Sequence, residues 1–155
     1  MNIDYINSKN PKETKEAVDQ LIDNHTRQQF EDIHDLDTYH YAISAVLKEH
    51  DPDVKGKERD LFIGGIAFRQ QYDTAHVGAL AVDPAFRGMN IGRQLIQEAE
   101  AFLEKKQVHT VTLSTLNYQA LGFYQKLGYQ LYGQLEDIPR RGMTKYLLYK
   151  RLSSY

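Results

Sequence analysis

The stretch VDPAFRGMNIGRQLI, residues Val82 to Ile96, decides the fold because it joins a strand to a helix through an unusual loop. Apolar residues precede it, Asp83 and Pro84 turn the chain, and an apolar helical repeat follows. The loop itself, Arg87–Gly92, contains an arginine, two glycines and an asparagine. A helix that begins on such a loop presents amide N–H groups without intrahelical partners, and its dipole adds partial positive charge. The loop therefore predicts a binding site for a bulky anion such as a pyrophosphate.

The loop differs from two other phosphate-binding motifs. No Gly-Lys-Ser/Thr sequence follows it, so it is not a Walker loop, and its glycine spacing is not the G-x-G-x-x-G of dinucleotide-binding domains. Its glycines let the backbone approach a phosphate closely, and Arg87 can add charge-assisted hydrogen bonds.

Hydrophobic periodicity on both sides of the loop predicts an α/β chain. Before the loop it indicates a short edge strand (3–6), an amphipathic helix (12–30) and three strands in an antiparallel meander (39–50, 61–68 and 75–82). After it come a helix (91–106), a strand (109–115), a helix (117–127) ended by Gly128, and two strands (129–136 and 143–152). The strand–helix–strand unit predicts one parallel strand pair with a right-handed crossover.

Composition sets the broad class of protein. The 155 residues suit one domain, residues 1–155, with a single core. The net charge of −2 gives no reason to expect nucleic acid as a partner. The chain has no cysteine, no signal-peptide pattern and no apolar run long enough for a membrane span, so a cytoplasmic protein without membrane contact is expected. His76 and His109 lack a metal-ligand spacing, and no metal is predicted.

Two motifs carry a family resemblance. Arg87-x-x-Asn90-x-Gly92 resembles the acetyl-CoA pyrophosphate loop of the GNAT superfamily of N-acetyltransferases, with Asn90 in place of the usual glycine. Asparagine tolerates left-handed backbone angles better than other non-glycine residues, so the loop is expected to keep its shape. The later Asn117-x-x-Ala120-x-x-x-Tyr124-x-x-x-Gly128-Tyr129 resembles a second motif of the family. The C-terminal part is similar to a bacterial subgroup near histone-acetyltransferase-like and antibiotic-acetylating members.

The resemblance implies a fold and a cofactor site. The fold is an α/β GNAT fold, with a mixed, mostly antiparallel central sheet, a splayed parallel strand pair and flanking helices. Acetyl-CoA would lie in the splay as cosubstrate, its pantetheine arm along one strand and its pyrophosphate on the loop. The implied cofactor-binding residues are Leu80, Ala81, Val82, Arg87, Gly88, Met89, Asn90, Ile91, Gly92, Arg93 and Asn117. Asn117 has an alternative role as the N-cap of its helix.

The resemblance also implies the reaction. A primary amine on a small molecule or peptide would attack acetyl-CoA directly in a ternary complex, and Tyr124 would protonate the departing thiolate. The general base stays open among His76, His40, His34, Glu31 and Asp35. The acidic segment 31–37 is either a solvated face or a rim for a cationic acceptor.

Two other classes of protein remain as alternatives. A non-catalytic acyl-CoA-binding sensor would bind the cofactor without transferring the acetyl group. An interaction protein without a ligand would use its edge strands to form a dimer. A homodimer is compatible with all three hypotheses.

Overall fold

The computed structural model describes residues 9–30, 36–50, 53–117 and 120–152. The chain divides after Leu36 into two compact units, 1–36 and 37–155. The strand predicted at 3–6 and the base candidates Glu31, His34 and Asp35 lie outside the described residues.

The described residues of the first unit contain one helix, α1, Pro11–Gln29. Asn10 caps its start, because the Asn10 side chain accepts a hydrogen bond from the backbone N–H of Glu13 at 3.3 Å. Pro11 occupies the first turn, where its missing N–H costs nothing. The helix ends at Gln29, and the N–H of its C-cap residue Phe30 donates to the carbonyl of Thr26 at 2.9 Å. The helix predicted over 12–30 is confirmed to within one residue at each end.

The described residues of the second unit form a six-stranded sheet with two α-helices. Its elements are β1 Thr38–His50, β2 Glu58–Gln71, β3 Thr74–Val82, α2 Ile91–Lys105, β4 Thr110–Leu116, α3 Leu121–Lys126, β5 Gln130–Glu136 and β6 Thr144–Arg151. The strand order is β1-β2-β3-β4-β6-β5. β3 and β4 are parallel, and the other neighbouring strands are antiparallel. The predicted meander, the β3–α2–β4 unit and the mixed sheet are confirmed.

The core lies between α2 and the sheet. The four-residue spacing of Leu95, Ala99 and Leu103 puts these side chains on one face of α2, where they are buried. Complete burial of one of these leucines stabilises a fold by about 1.5–3 kcal/mol, so the apolar stripe of α2 fixes the helix against the strands that carry the site.

The described part of the chain contains no helix long and apolar enough to cross a membrane.

The parallel pair β3–β4 separates halfway along its length. Its last matched pair is Val77 with Leu113, although β3 continues to Val82. At the same level β3 has a bulge against β2, because Phe68 pairs with Val77 but Ala67 pairs with Ala79, which leaves Gly78 between them. Bulges bend a strand and increase its twist. The bulge at Gly78 therefore coincides with the point where β3 leaves β4.

One predicted helix is shorter than expected. The sequence favoured a helix over 117–127, but α3 begins at Leu121 with Ala120 as its N-cap and no side-chain capping bond. The backbone N–H of Asn117 donates to the carbonyl of Thr144 on β6 at 2.9 Å, so Asn117 extends the hydrogen bonding between β4 and β6 one residue beyond β4. The N-cap interpretation of Asn117 is therefore wrong. The helix ends as predicted, because Gly128 follows its C-cap with φ of 91°.

Candidate active site

A cleft of about 1100 Å³ occupies the splay between β3 and β4. Its walls are the second half of β3, the end of β4 and the start of α3, and the start of α2 closes one end. Since β3 and β4 do not pair beyond Val77 and Leu113, each turns a strand edge toward the cleft. Backbone N–H and C=O groups on such edges need hydrogen-bond partners. The cleft can therefore pair with an extended ligand that carries amide groups.

The loop that closes the cleft has a tightly defined backbone. Asp83 accepts a hydrogen bond from the N–H of Ala85 at 2.8 Å and so caps a short 3₁₀ turn, Pro84–Phe86. Gly88 and Asn90 both have left-handed backbones, with φ of 81° and 61°. Such angles cost a residue with a side chain more than they cost glycine, and asparagine is among the residues that tolerate them. Asn90 adopts the left-handed conformation expected of it.

Asn90 is also the N-cap of α2, and its carbonyl accepts the N–H of Gln94 at 3.0 Å. The amides of the first helical turn, Ile91 to Arg93, have no intrahelical acceptors. Ile91, Gly92 and Arg93 line the cleft, and so do Arg87 and Asn90. Helix-end amides and two guanidinium groups at one mouth can hold a pyrophosphate.

The cleft brings together nearly all of the site residues predicted from the sequence. Those lining it are Leu80, Ala81, Val82, Arg87, Gly88, Asn90, Ile91, Gly92, Arg93 and Tyr124. Met89 and Asn117 are not among the lining residues. The Met89 side chain is exposed. The Asn117 side-chain amide donates to the carbonyl of Gly142 at 3.4 Å, which ties the end of β4 to the turn before β6.

Tyr124 lies in the wall formed by α3. Its ring packs edge-on against Phe123 and Tyr129, with centroids 5.1 and 6.0 Å away. Burial raises the pKa of the Tyr124 hydroxyl above its usual value. The phenol therefore stays protonated at neutral pH and has a proton to donate into the cleft.

Several lining residues were not predicted from the sequence. They include Phe86, Ser114, Thr115, Ala120 and Phe123. The Phe123 ring packs against the start of α2, where a Cβ atom on Gly92 would lie 3.5 Å from the ring. No local motif marks Ser114 or Thr115. The one available signal was their place near the carboxyl end of the strand parallel to β3.

His76 belongs to a row of polar residues that crosses the sheet next to the cleft. His40, Arg69, His76 and Thr112 are successive cross-strand partners on β1, β2, β3 and β4. Partners directly opposite each other project on the same face of a sheet. His76 is half-buried, and its pKa is lowered by burial and then by the positive charges of Arg69 and Lys145. His76 is therefore mainly neutral at pH 7.

The His76 ring is held by Thr112 on the neighbouring strand. Its Nδ1 atom lies 2.9 Å from the hydroxyl oxygen of Thr112. The same hydroxyl lies 3.3 Å from the carbonyl oxygen of Ala75, to which it can donate. In the tautomer that matches this pattern, Nδ1 donates to Thr112 and the lone pair of Nε2 can accept a proton.

His40 is the other base candidate within the described residues, and it is less well placed. His40 lies in the same row as His76 but is exposed, two strands farther from β4. Across the described ranges, no group of three His, Cys, Asp or Glu side chains gathers in a way that could hold a metal ion.

Comparison with known proteins connects this site to a family. Residues 12–129 match the acetyltransferase (GNAT) family. The blasticidin-S acetyltransferase of Streptomyces morookaense is 38% identical over 96 residues, which are 61% of this chain and 70% of that protein. The peptidyl-lysine N-acetyltransferase YjaB of Escherichia coli K12 is 33% identical over 94 residues, 61% of this chain and 59% of that protein.

The fold has solved counterparts as well. A crystal structure of an acetyltransferase from Bacillus cereus ATCC 14579 superposes with a TM-score of 0.76, covering 96% of this chain and 98% of that one. The two sequences are 24% identical, so this likeness concerns the fold.

Proposed function

Because the chain belongs to the acetyltransferase (GNAT) family, and is an acetyl-CoA-dependent N-acetyltransferase acting on an amine, we propose which of its residues carry out the transfer. The β3–β4 cleft holds acetyl-CoA, Tyr124 protonates the leaving group and His76 accepts the proton of the amine. The observation that carries the proposal is the convergence of the splayed strands, the α2 amides and Tyr124 on one cleft.

The position of acetyl-CoA follows from the hydrogen-bonding groups that line the cleft. The pantetheine amides pair with the unpaired edge of β3 at Leu80, Ala81 and Val82, as an added strand would. The pyrophosphate rests on the amides from Gly88 to Arg93, including that of Met89, beside the Arg87 guanidinium. Asn117 acts indirectly, because its hydrogen bond to Gly142 orders the adjacent turn.

The reaction needs no protein nucleophile. The neutral amine attacks the thioester carbonyl, a C–N bond forms and the C–S bond breaks. A strand amide near Ala81 or Val82 stabilises the developing oxyanion. Tyr124 gives its proton to the thiolate, and the proton lost by the amine goes to the base.

His76 is the base that fits these requirements. Its lowered pKa keeps it neutral, and its hydrogen bond to Thr112 leaves Nε2 free. It sits one residue before the last β3–β4 pair, at the closed end of the splay. The amine proton reaches Nε2 directly or through one water molecule.

The acceptor is a primary amine. The two relatives described above are named for an antibiotic and for peptidyl lysine, so the search starts with small-molecule amines and lysine peptides. The non-catalytic sensor has no support from these relatives, both of which are named acetyltransferases.

The first test combines binding with turnover. Acetyl-CoA and CoA should raise the melting temperature by mass action, and NAD should not. Acetyl transfer to a panel of amines is then measured by the release of free CoA thiol. Gly92→Leu should abolish this transfer, and Tyr124→Phe should slow it strongly. Absence of a thermal shift at saturating acetyl-CoA would refute the cofactor assignment.

We further propose that residues 1–155 act as one cytoplasmic domain that forms a homodimer. The family match runs across the division at Leu36, which supports a single functional domain. Among the described strands, β1 and β5 lie at the two edges of the sheet, and either can pair with a second copy. Light scattering tests the dimer, a single cooperative unfolding transition tests the domain, and cell fractionation tests the location.

A further inference from the structure

A second, smaller concavity of about 380 Å³ adjoins the cofactor cleft. The two share Gly78, the residue at which β3 leaves β4. Small residues form its floor, because Ala42 and Ala67 are cross-strand partners beside Gly78. Larger side chains at these positions would fill it. Its size is within the range, roughly 300–1,000 Å³, of small-molecule sites.

The wall of this concavity is basic. His40, Arg69 and His76 line it, and they are consecutive partners across three strands. Side chains directly opposite in a sheet lie about 5 Å apart at Cβ. The positive charge of Lys145 also acts on His76. No carboxylate belongs to the lining within the part of the chain described here.

Arg69 is the strongest anion-binding group in this wall. Its side chain is exposed, and within the described ranges it forms no salt bridge. By contrast Arg59, near the start of the same strand, is paired with Glu49. A guanidinium presents two parallel N–H donors that match a carboxylate.

We propose that the acceptor is an amino-acid-type amine whose carboxylate is bound by Arg69. This rests on the proposed function, since the concavity is assigned to the acceptor through its contact with the cofactor cleft at Gly78. The carboxylate lies against the Arg69 side of the concavity, and the reacting amine points toward Gly78 and His76. A diamine without a carboxylate meets the same basic wall with no compensating charge, and electrostatic repulsion disfavours it.

Arg69 is then a specificity-determining residue, not a catalytic one. It touches the substrate away from the bond that forms, so its removal should change the choice of acceptor more than the maximal rate. This separates it from His76, whose loss should slow transfer to every amine.

The test uses acceptors that differ only by the carboxylate. Ornithine is compared with putrescine, and lysine with cadaverine. The wild-type protein should give a kcat/KM at least about tenfold higher for each carboxylated member, about 1.4 kcal/mol. Arg69→Gln should bring both ratios near one by raising KM for the carboxylated acceptors. Arg69→Lys keeps the positive charge and should reduce the two ratios less. Arg59→Gln, the same change on the same strand, should leave both ratios unaltered.

Binding measurements keep this proposal separate from the proposed function. Calorimetric titration of ornithine and putrescine, with and without CoA, reads the carboxylate site without turnover. Ornithine binding that is lost in Arg69→Gln supports the carboxylate site, whether or not any amine is acetylated. Absence of acetylation of every amine would refute the proposed function instead. Equal preference for the two acceptors in the wild type, or a preference that survives Arg69→Gln, overturns the proposal.

Discussion

Gly64 on β2 faces Ala81 on β3 so closely that a Cβ atom at Gly64 would lie 2.9 Å from the Ala81 carbonyl oxygen. The opposing atom belongs to the backbone, so a side chain at Gly64 requires the two strands to separate. Ala81 lines the cofactor cleft. The width of the cleft therefore depends on the absence of one methyl group on the neighbouring strand.

Gly64→Ala should weaken acetyl-CoA binding by about tenfold, or about 1.4 kcal/mol, because β3 is pushed toward the cleft. Isothermal titration calorimetry measures the change. Gly122→Ala is the matched control, since a Cβ there would meet nothing within 4 Å. Equal affinities in the two variants would show that β3 tolerates the displacement.

Gly92→Leu should nearly abolish acetyl-CoA binding. A Cβ at Gly92 already reaches ordinary contact distance from Phe123 and Val82, at 3.5 and 3.7 Å, so the further carbons of leucine must enter the cleft or displace its wall. Thermal shift with acetyl-CoA reports the loss. Gln97→Leu introduces the same residue at an exposed position of α2 and should keep the full shift. Retained binding in Gly92→Leu would contradict the loop assignment.

Tyr124→Phe should lower kcat by about 100-fold, the lower end of the range for a lost general acid. The dissociation constant of acetyl-CoA should stay within about twofold, because the ring and its packing remain. Stopped-flow measurement of thiol release follows the chemical step. Tyr132→Phe, at an exposed tyrosine, should be neutral. An unchanged rate in Tyr124→Phe would remove this hydroxyl from the reaction.

The pH dependence of kcat/KM, which reports the ionisation of the free enzyme, should follow His76. Burial and nearby cations lower its pKa below 6.5. A base works only when deprotonated, so the rate should rise with pH through a midpoint below 6.5 and be flat for this group at pH 7 and above. His76→Gln should remove that acidic limb and lower kcat.

Thr112→Val tests how the His76 ring is held. The isosteric change removes the acceptor for the Nδ1 proton, so both tautomers become accessible and kcat should fall by a few fold, with a changed acidic limb. If the pH profile and kcat of Thr112→Val match those of the wild type, the assignment of the ring proton has no catalytic consequence.

Lys150→Met should destabilise the fold by about 3 kcal/mol, because it leaves the charge of Glu100 largely buried and unpaired. The Lys150 ammonium lies 2.6 Å from Glu100, and 25% and 13% of the two side chains are exposed. Urea denaturation measures the change. Lys12→Met, which breaks an exposed pair with Glu16 on α1, should cost under about 1 kcal/mol. Similar losses of unfolding free energy in both variants would show that burial does not increase the contribution of the Lys150–Glu100 pair.

The sequence by itself determined the local features of this protein. The four-residue spacing of Leu95, Ala99 and Leu103 set the buried face of α2, and Gly128 set the end of α3. The left-handed turn at Asn90 was foreseeable because few other side chains tolerate that backbone. The family motifs pointed to the cleft residues from Leu80 to Arg93 and to Tyr124, since each motif encodes a local backbone shape.

Only the tertiary structure decided how distant segments meet. The clearance between Gly64 and Ala81, and the row from His40 through Arg69 and His76 to Thr112, depend on strand register. A register shift of one residue moves a side chain to the opposite face of the sheet. No local pattern fixes that register across four strands. The base proposed at His76 therefore could not be singled out among the candidates, and Arg69 was not identified as a site residue.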